Sequence, residues 1–174
     1  MDSRIVLLPL AALAVAQPAQ ALVYLQVPQA QALMFPGQKL EAVPLLLSAA
    51  DVSAVEHDSG VKVYPGSLQA WKCADGWFFT DSVIGKHDLI RYAVALGNDG
   101  RVRQVEILEY REAYGGEVRN TRWLAQFKGH EHGDPVKTGS DIQNISGATL
   151  SSEHLADGIR RLLSTYALVI AGRQ

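Results

Sequence analysis

Only one cysteine, Cys73, occurs in the 174 residues. No internal disulfide can form, so stability has to come from packing. With one cysteine there is also no CxxCH, which excludes covalently attached c-type haem. The charge has no dominant sign: 16 basic residues oppose 18 acidic ones, which removes electrostatic support for nucleic-acid or polybasic membrane binding. No apolar run reaches the roughly 20 residues that a membrane span needs. There is no internal repeat and no low-complexity linker, so the composition points to one domain with a hydrophobic core.

What is present begins with an address. Arg4 gives a short basic segment, residues 5–15 an apolar one interrupted by Pro9, and Ala19-Gln20-Ala21 a small-x-small cleavage site. This pattern predicts a secretory signal peptide over residues 1–21, cut after Ala21, and an exported or periplasmic chain over 22–174.

A short helix is expected over 28–34, with Pro28 in its first turn and Ala30, Leu33 and Met34 on one side. A second is expected after Ser48, whose side chain would cap it. From residue 61 the pattern changes to period two, predicting antiparallel strands at 61–64, Gly76–Ile84, 89–96 and Val102–Tyr110. Gly97-Asn98-Asp99-Gly100 marks a hairpin, and the uneven spacing of Val102 and Val105 marks a bulge. Cys73 lies in the aromatic stretch 71–79, as a buried structural thiol rather than a reactive one. Asn120 or Thr121 would cap a short helix bearing Trp123, Leu124 and Phe127. His130-Glu131-His132 reads as a solvated loop rather than a metal site. Residues 153–170 place Leu155, Ile159, Leu162, Leu163, Tyr166 and Val169 on a helical core stripe, flanked by Arg160 and Arg161, one of them solvated. The class is α+β: an antiparallel sheet of about four to five strands packed with helices, the last helix following a Ser-Gly-Ala-Thr turn.

That turn, Ser146-Gly147-Ala148-Thr149-Leu150-Ser151-Ser152, is the most informative stretch. Small residues just ahead of a helix leave backbone N–H groups without intrahelical partners at the positive end of the helix dipole, where a phosphate binds. Gly147 and Ala148 keep bulk away, and Ser146, Thr149, Ser151 and Ser152 supply hydroxyls. An ordinary helix cap with surplus hydroxyls is the competing reading of these residues alone.

Upstream, Glu112, Gly115 and Gly116 follow the last hairpin strand, and Trp123, Gln126 and Phe127 come next. In this order, and with the Ser-Gly-Ala-Thr turn, the chain resembles the FMN-binding domain family over residues 60–172. That family includes the covalent-flavin subunits of the Rnf and sodium-translocating NADH:quinone oxidoreductase complexes. The resemblance implies FMN joined through a phosphoester to Thr149, with Ser146, Gly147, Ala148, Leu150, Ser151 and Ser152 around it. It also implies an isoalloxazine ring beside Glu112, Tyr114, Gly115 and Trp123. The chain departs from the family at Gln143, where many members carry Asp; here the acid is Asp141, two places earlier. Glu112-Ala113-Tyr114-Gly115 replaces a Glu-Thr-Pro-Gly type of turn.

The resemblance further implies a separate flavin transferase for maturation. It also implies a redox partner that is quinone-linked, a cytochrome or another flavoprotein. Peripheral contact with a membrane complex is a further expectation. The chain would then be an electron carrier, a component of an oxidoreductase system rather than a stand-alone enzyme. The alternative is a regulatory or sensor module binding flavin or another phosphorylated ligand non-covalently at the same turn.

Overall fold

The computed structural model describes residues 22–64, 66–112 and 116–171. The expected signal segment 1–21, and Tyr114 and Gly115, lie outside the described residues. In chain order the elements are β1 (Leu22–Val23), α1 (Val27–Met34), β2 (Glu41–Val43), α2 (Ala49–Ser59), β3 (Gln69–Cys73), β4 (Gly76–Ile84), β5 (Leu89–Gly97), β6 (Val102–Tyr110), α3 (Thr121–Leu124) and α4 (Thr149–Thr165). The strands make one antiparallel sheet in the order β1-β6-β5-β4-β3-β2. The fold is α+β. The sheet exceeds the four to five strands expected because β1 and β2, two and three residues long, add to its edges.

Alternation along the three long strands sorts their side chains onto two faces. Trp77, Phe79 and Val83 of β4 and Ile90, Tyr92, Val94 and Leu96 of β5 share a core with Leu155, Ile159, Leu162 and Leu163 of α4. Phe78, Ala93, Ala95 and Leu108 point the other way and pack with Ala30 and Met34 of α1 and with Cys73. Because helices cover both faces, β5 is apolar at nearly every position instead of alternating with polar residues. At the β5–β6 hairpin the partner of Ala95 is Gln104 and that of Leu96 is Val102, so Arg103 is the extra residue of the expected bulge. Val102 and Val105 thereby stay in the same core.

The stripe on the last helix is buried at all six expected positions. Helix α4 lies so close to the sheet that a Cβ on Gly158 would come within 2.5 Å of the Tyr92 hydroxyl and 2.7 Å of Val83 Cγ1. Only glycine fits there. Ser48 caps α2 as expected, its Oγ accepting from Asp51 N–H while the Asp51 carboxylate accepts from Ser48 N–H.

Two expectations are corrected. Residues 61–64 form no strand, because other groups satisfy their backbone: Val63 N–H donates to Glu56 Oε1 at 3.0 Å, and Lys62 O accepts from Arg161 Nη1 at 2.9 Å. The strand lies at β3 instead. Neither arginine of α4 is simply solvated. Arg161 is buried against Asp81 at 2.7 Å, and Arg160 donates to Ser59 O and Val136 O.

Candidate functional site

The head of α4 is built by a reverse turn. Ala148 N–H donates to Ile145 O at 3.0 Å, and Gly147 takes φ +84, a left-handed conformation that suits glycine. No atom lies within 4 Å of where a Gly147 Cβ would stand, so the approach is open. Ala148 is the N-cap residue and offers no side-chain acceptor. The first bond of the helix runs from Ser152 N–H to Ala148 O at 2.9 Å. The amides of Thr149, Leu150 and Ser151 are therefore uncapped among the described residues, and this is the geometry that receives an anion.

The hydroxyls of the motif divide by burial. Thr149 and Ser146 are exposed, whereas Ser151 and Ser152 are buried. Ser152 Oγ donates to Asn144 Oδ1 at 2.8 Å, and Ser151 Oγ lies 3.4 Å from the Tyr110 hydroxyl. Thr149 Oγ1 accepts from Asn144 Nδ2 at 3.4 Å. Asn144 also accepts from Ile145 N–H at 2.9 Å, so a single amide side chain ties the turn, the helix and the Thr149 hydroxyl together. Sequence reasoning did not single out Asn144. Its signal was an Asn preceding a glycine turn, where its side chain commonly bonds nearby backbone.

The residues leading into the turn are clamped from α3. Asn120 caps that helix, accepting from Arg122 N–H at 2.9 Å. Trp123 Nε1–H donates to Gln143 O at 2.7 Å, and Gln143 N–H donates to Gln126 Oε1 at 2.9 Å. Trp123 is buried and meets Phe127 edge-on at 5.3 Å. Asp141 does not face the turn: its carboxylate accepts from Val136 N–H at 2.8 Å and Lys137 N–H at 2.7 Å. Burial raises its pKa, but the backbone donors outweigh that, and the net shift is downward. His130 and His132 lie against carboxylates, His130 Nδ1 3.2 Å from Asp134 and His132 Nε2 2.8 Å from Asp58.

Glu112 sits at the same end of the sheet. Its Oε1 accepts from His87 N–H at 2.5 Å and Asp88 N–H at 3.0 Å, closing the β4–β5 hairpin. A Cβ on Gly85 would lie 2.6 Å from that oxygen, so the carboxylate seats only over a glycine. Burial raises the Glu112 pKa, yet the amides of Asp88, His87 and Lys86 leave it lowered overall. His154 on α4 brings the helix to this hairpin, with Nδ1 2.5 Å from Ile84 O and 3.1 Å from Gly85 O.

Residues 85–164 match the FMN-binding domain family. The chain carries an FMN-binding domain. The matched segment starts at the Glu112-held hairpin and contains the Thr149 turn and most of α4, so it coincides with the site just described. No curated protein matches the chain. The site fits FMN on its own geometry: an open turn, three uncapped amides for a phosphate, and an exposed hydroxyl beside them. This is a flavin-binding protein.

Proposed function

We propose that the protein is an exported electron carrier whose FMN is joined to the Thr149 hydroxyl through a phosphoester. The observation that carries this reading is the exposed Thr149 Oγ1 at the uncapped head of α4, inside the matched segment. The amides of Thr149, Leu150 and Ser151 would hold phosphate oxygens, helped by the helix dipole. Asn144 Nδ2 orients the Thr149 oxygen.

No carboxylate or imidazole bonds to Thr149 Oγ1 among the described residues, so the hydroxyl is not activated from within. A separate flavin transferase supplies the base. In that step Thr149 Oγ1 forms a bond to the FMN-side phosphorus of a flavin dinucleotide and the pyrophosphate P–O bond breaks. The nucleoside monophosphate leaves, and the hydroxyl proton passes to the transferase. When bound, the flavin supplies one- and two-electron transfer, and the protein supplies position and exclusion of solvent. The covalent bond prevents loss of the cofactor outside the cytoplasm. This agrees with reading residues 1–21 as a signal peptide and 22–174 as the mature single domain. The redox partner is then a quinone-linked protein, a cytochrome or another flavoprotein, reached at the surface of a membrane complex.

The test is co-expression of the full chain with a flavin transferase. The expected product gains the mass of FMN less water and stays yellow after denaturation, and Thr149→Val loses both. Colour released on denaturation, with Thr149→Val still binding FMN, would instead establish the non-covalent binding module.

A further inference from the structure

About one and a half turns along α4 from the attachment residue lies a cavity of about 750 Å³, between Gly60, Val61, Tyr64 and Ser67, the end of β4 and one face of the helix. Its size is within the roughly 300–1,000 Å³ of small-molecule sites. Val61, Val83, Ile84 and Leu89 give it apolar walls, and His154 and Arg161 line its helix side.

Three observations connect it with Thr149. Leu150, His154, Asp157 and Arg161 recur at the spacing of a single helical stripe. The last three line the cavity, and the first is the residue next to Thr149 and is 42% exposed. Secondly, His154 Nδ1 meets the carbonyls of Ile84 and Gly85, and Ile84 and Leu89, paired across the hairpin mouth and 55% and 49% exposed, line the same cavity. Thirdly, His154 is the fifth residue on from Thr149 along the helix, about 7.5 Å of rise. The ribityl chain of FMN, with its five carbons between phosphate and ring, spans that distance.

The charges select the occupant. Each charged side chain on the lining already has a partner: Lys62 with Glu56 at 3.0 Å, Asp157 with Arg160 at 2.7 Å and Arg161 with Asp81 at 2.7 Å. An anion finds no free cation there, whereas a neutral planar ring with a polar edge finds apolar walls. His154 Nδ1 faces two carbonyl oxygens, so that nitrogen carries a proton and donates to them, which leaves Nε2 for a ligand.

Resting on the attachment reading above, we propose that the isoalloxazine ring of the Thr149-linked flavin occupies this cavity, with His154 Nε2 as hydrogen-bond partner for its polar edge. The Glu112 carboxylate is taken by hairpin amides and the Trp123 indole N–H by Gln143, so the polar partner of the ring in this proposal is His154.

The test compares the full chain with Val61→Trp, which fills the cavity, and Leu33→Trp, which adds the same side chain on α1 across the sheet. Spectra are read per attached flavin. In the unsubstituted protein and Leu33→Trp, flavin fluorescence is expected several-fold below free FMN, with induced visible circular dichroism. In Val61→Trp the fluorescence should recover and the dichroism should vanish. Flavin that attaches but is equally quenched in all three proteins, or is as bright as free FMN in the unsubstituted one, overturns the ring site and leaves the attachment reading standing. Where no flavin attaches, the attachment reading fails, and titration with lumiflavin, a ring without ribityl chain or phosphate, decides the cavity alone. Saturable binding weakened at least tenfold by Val61→Trp supports it; no binding, or equal binding, overturns it.

Discussion

The Trp123 indole N–H donates to the backbone carbonyl of Gln143 at 2.7 Å, while Gln126 holds the N–H of the same residue. Trp123 is thus a strut that fixes where the Ser-Gly-Ala-Thr turn begins. Trp123→Phe keeps the ring contact with Phe127 but removes the donor. A hydrogen bond of this kind is worth about 0.5–1.5 kcal/mol net, and shrinking a buried indole adds to the loss. The expected outcome is destabilisation of about 1–2 kcal/mol in urea unfolding, together with slower flavin attachment. An unchanged urea midpoint with unchanged attachment would show that the strut is dispensable.

Asn144 acts at the other end of the turn. Asn144→Asp keeps the acceptor used by Ile145 N–H and Ser152 Oγ but loses the donor to Thr149 and places a negative charge beside the phosphate position. Attachment is expected to fall roughly tenfold, which about 1.4 kcal/mol of repulsion produces. Asn144→Ala removes the tie itself and should cost about 1 kcal/mol, as loss of a helix cap does. Mass spectrometry over a time course with transferase measures the first effect and thermal unfolding the second. Equal attachment rates for Asn144→Asp and the unsubstituted chain would remove Asn144 from the site.

What was legible in the chain was local or periodic. The Thr149 turn, the Ser48 cap, the Asn-Asp hairpin and the buried stripe of α4 each follow from a few neighbouring residues, and each is where it was expected. Residues 61–64 alternate like a strand, but only the fold brings Glu56 and Arg161 to their backbone groups. The pairing of Arg161 with Asp81 joins residues 80 positions apart, and the contact of His154 with the β4–β5 hairpin spans 70. No spacing rule reports such contacts. Helix α1 hid the second face of the sheet in the same way: its cover makes Ala93 and Ala95 core residues, which alternation alone does not explain.

Glu112 provides a pH test. Its folded pKa is lowered from an ordinary value of 4.5: burial opposes ionisation, and the amides of Asp88, His87 and Lys86 favour it more strongly. The unfolded carboxyl protonates first as pH falls. The stabilisation is therefore full above the ordinary value and is lost as pH drops through the lowered folded one. Glu112→Gln should flatten the decline in melting temperature below about pH 4.5, while being less stable than the parent at pH 7. Parallel melting curves for parent and variant from pH 7 to pH 3 would contradict this. Gly85→Ala should act in the same direction at neutral pH, because its Cβ would stand 2.6 Å from the Glu112 oxygen.

Beneath the cavity, Asp81 and Arg161 are 2% and 6% exposed and 2.7 Å apart. Tyr92 joins them, its hydroxyl donating to Asp81 Oδ2 at 3.3 Å. Burial, and then the negative charge of Asp81, push the Tyr92 pKa well above its ordinary value, so the hydroxyl stays a donor. Removing one member of a buried pair leaves the other charge uncompensated, which costs about 3–5 kcal/mol. Asp81→Ala is therefore expected to be the most destabilising of these substitutions, by urea unfolding at pH 7. Replacing both members with apolar residues, Asp81→Leu with Arg161→Met, removes the stranded charge and should recover most of that loss. A double variant no more stable than Asp81→Ala would mean that Arg161 supports the fold through its bond to Lys62 O and its packing rather than through its charge.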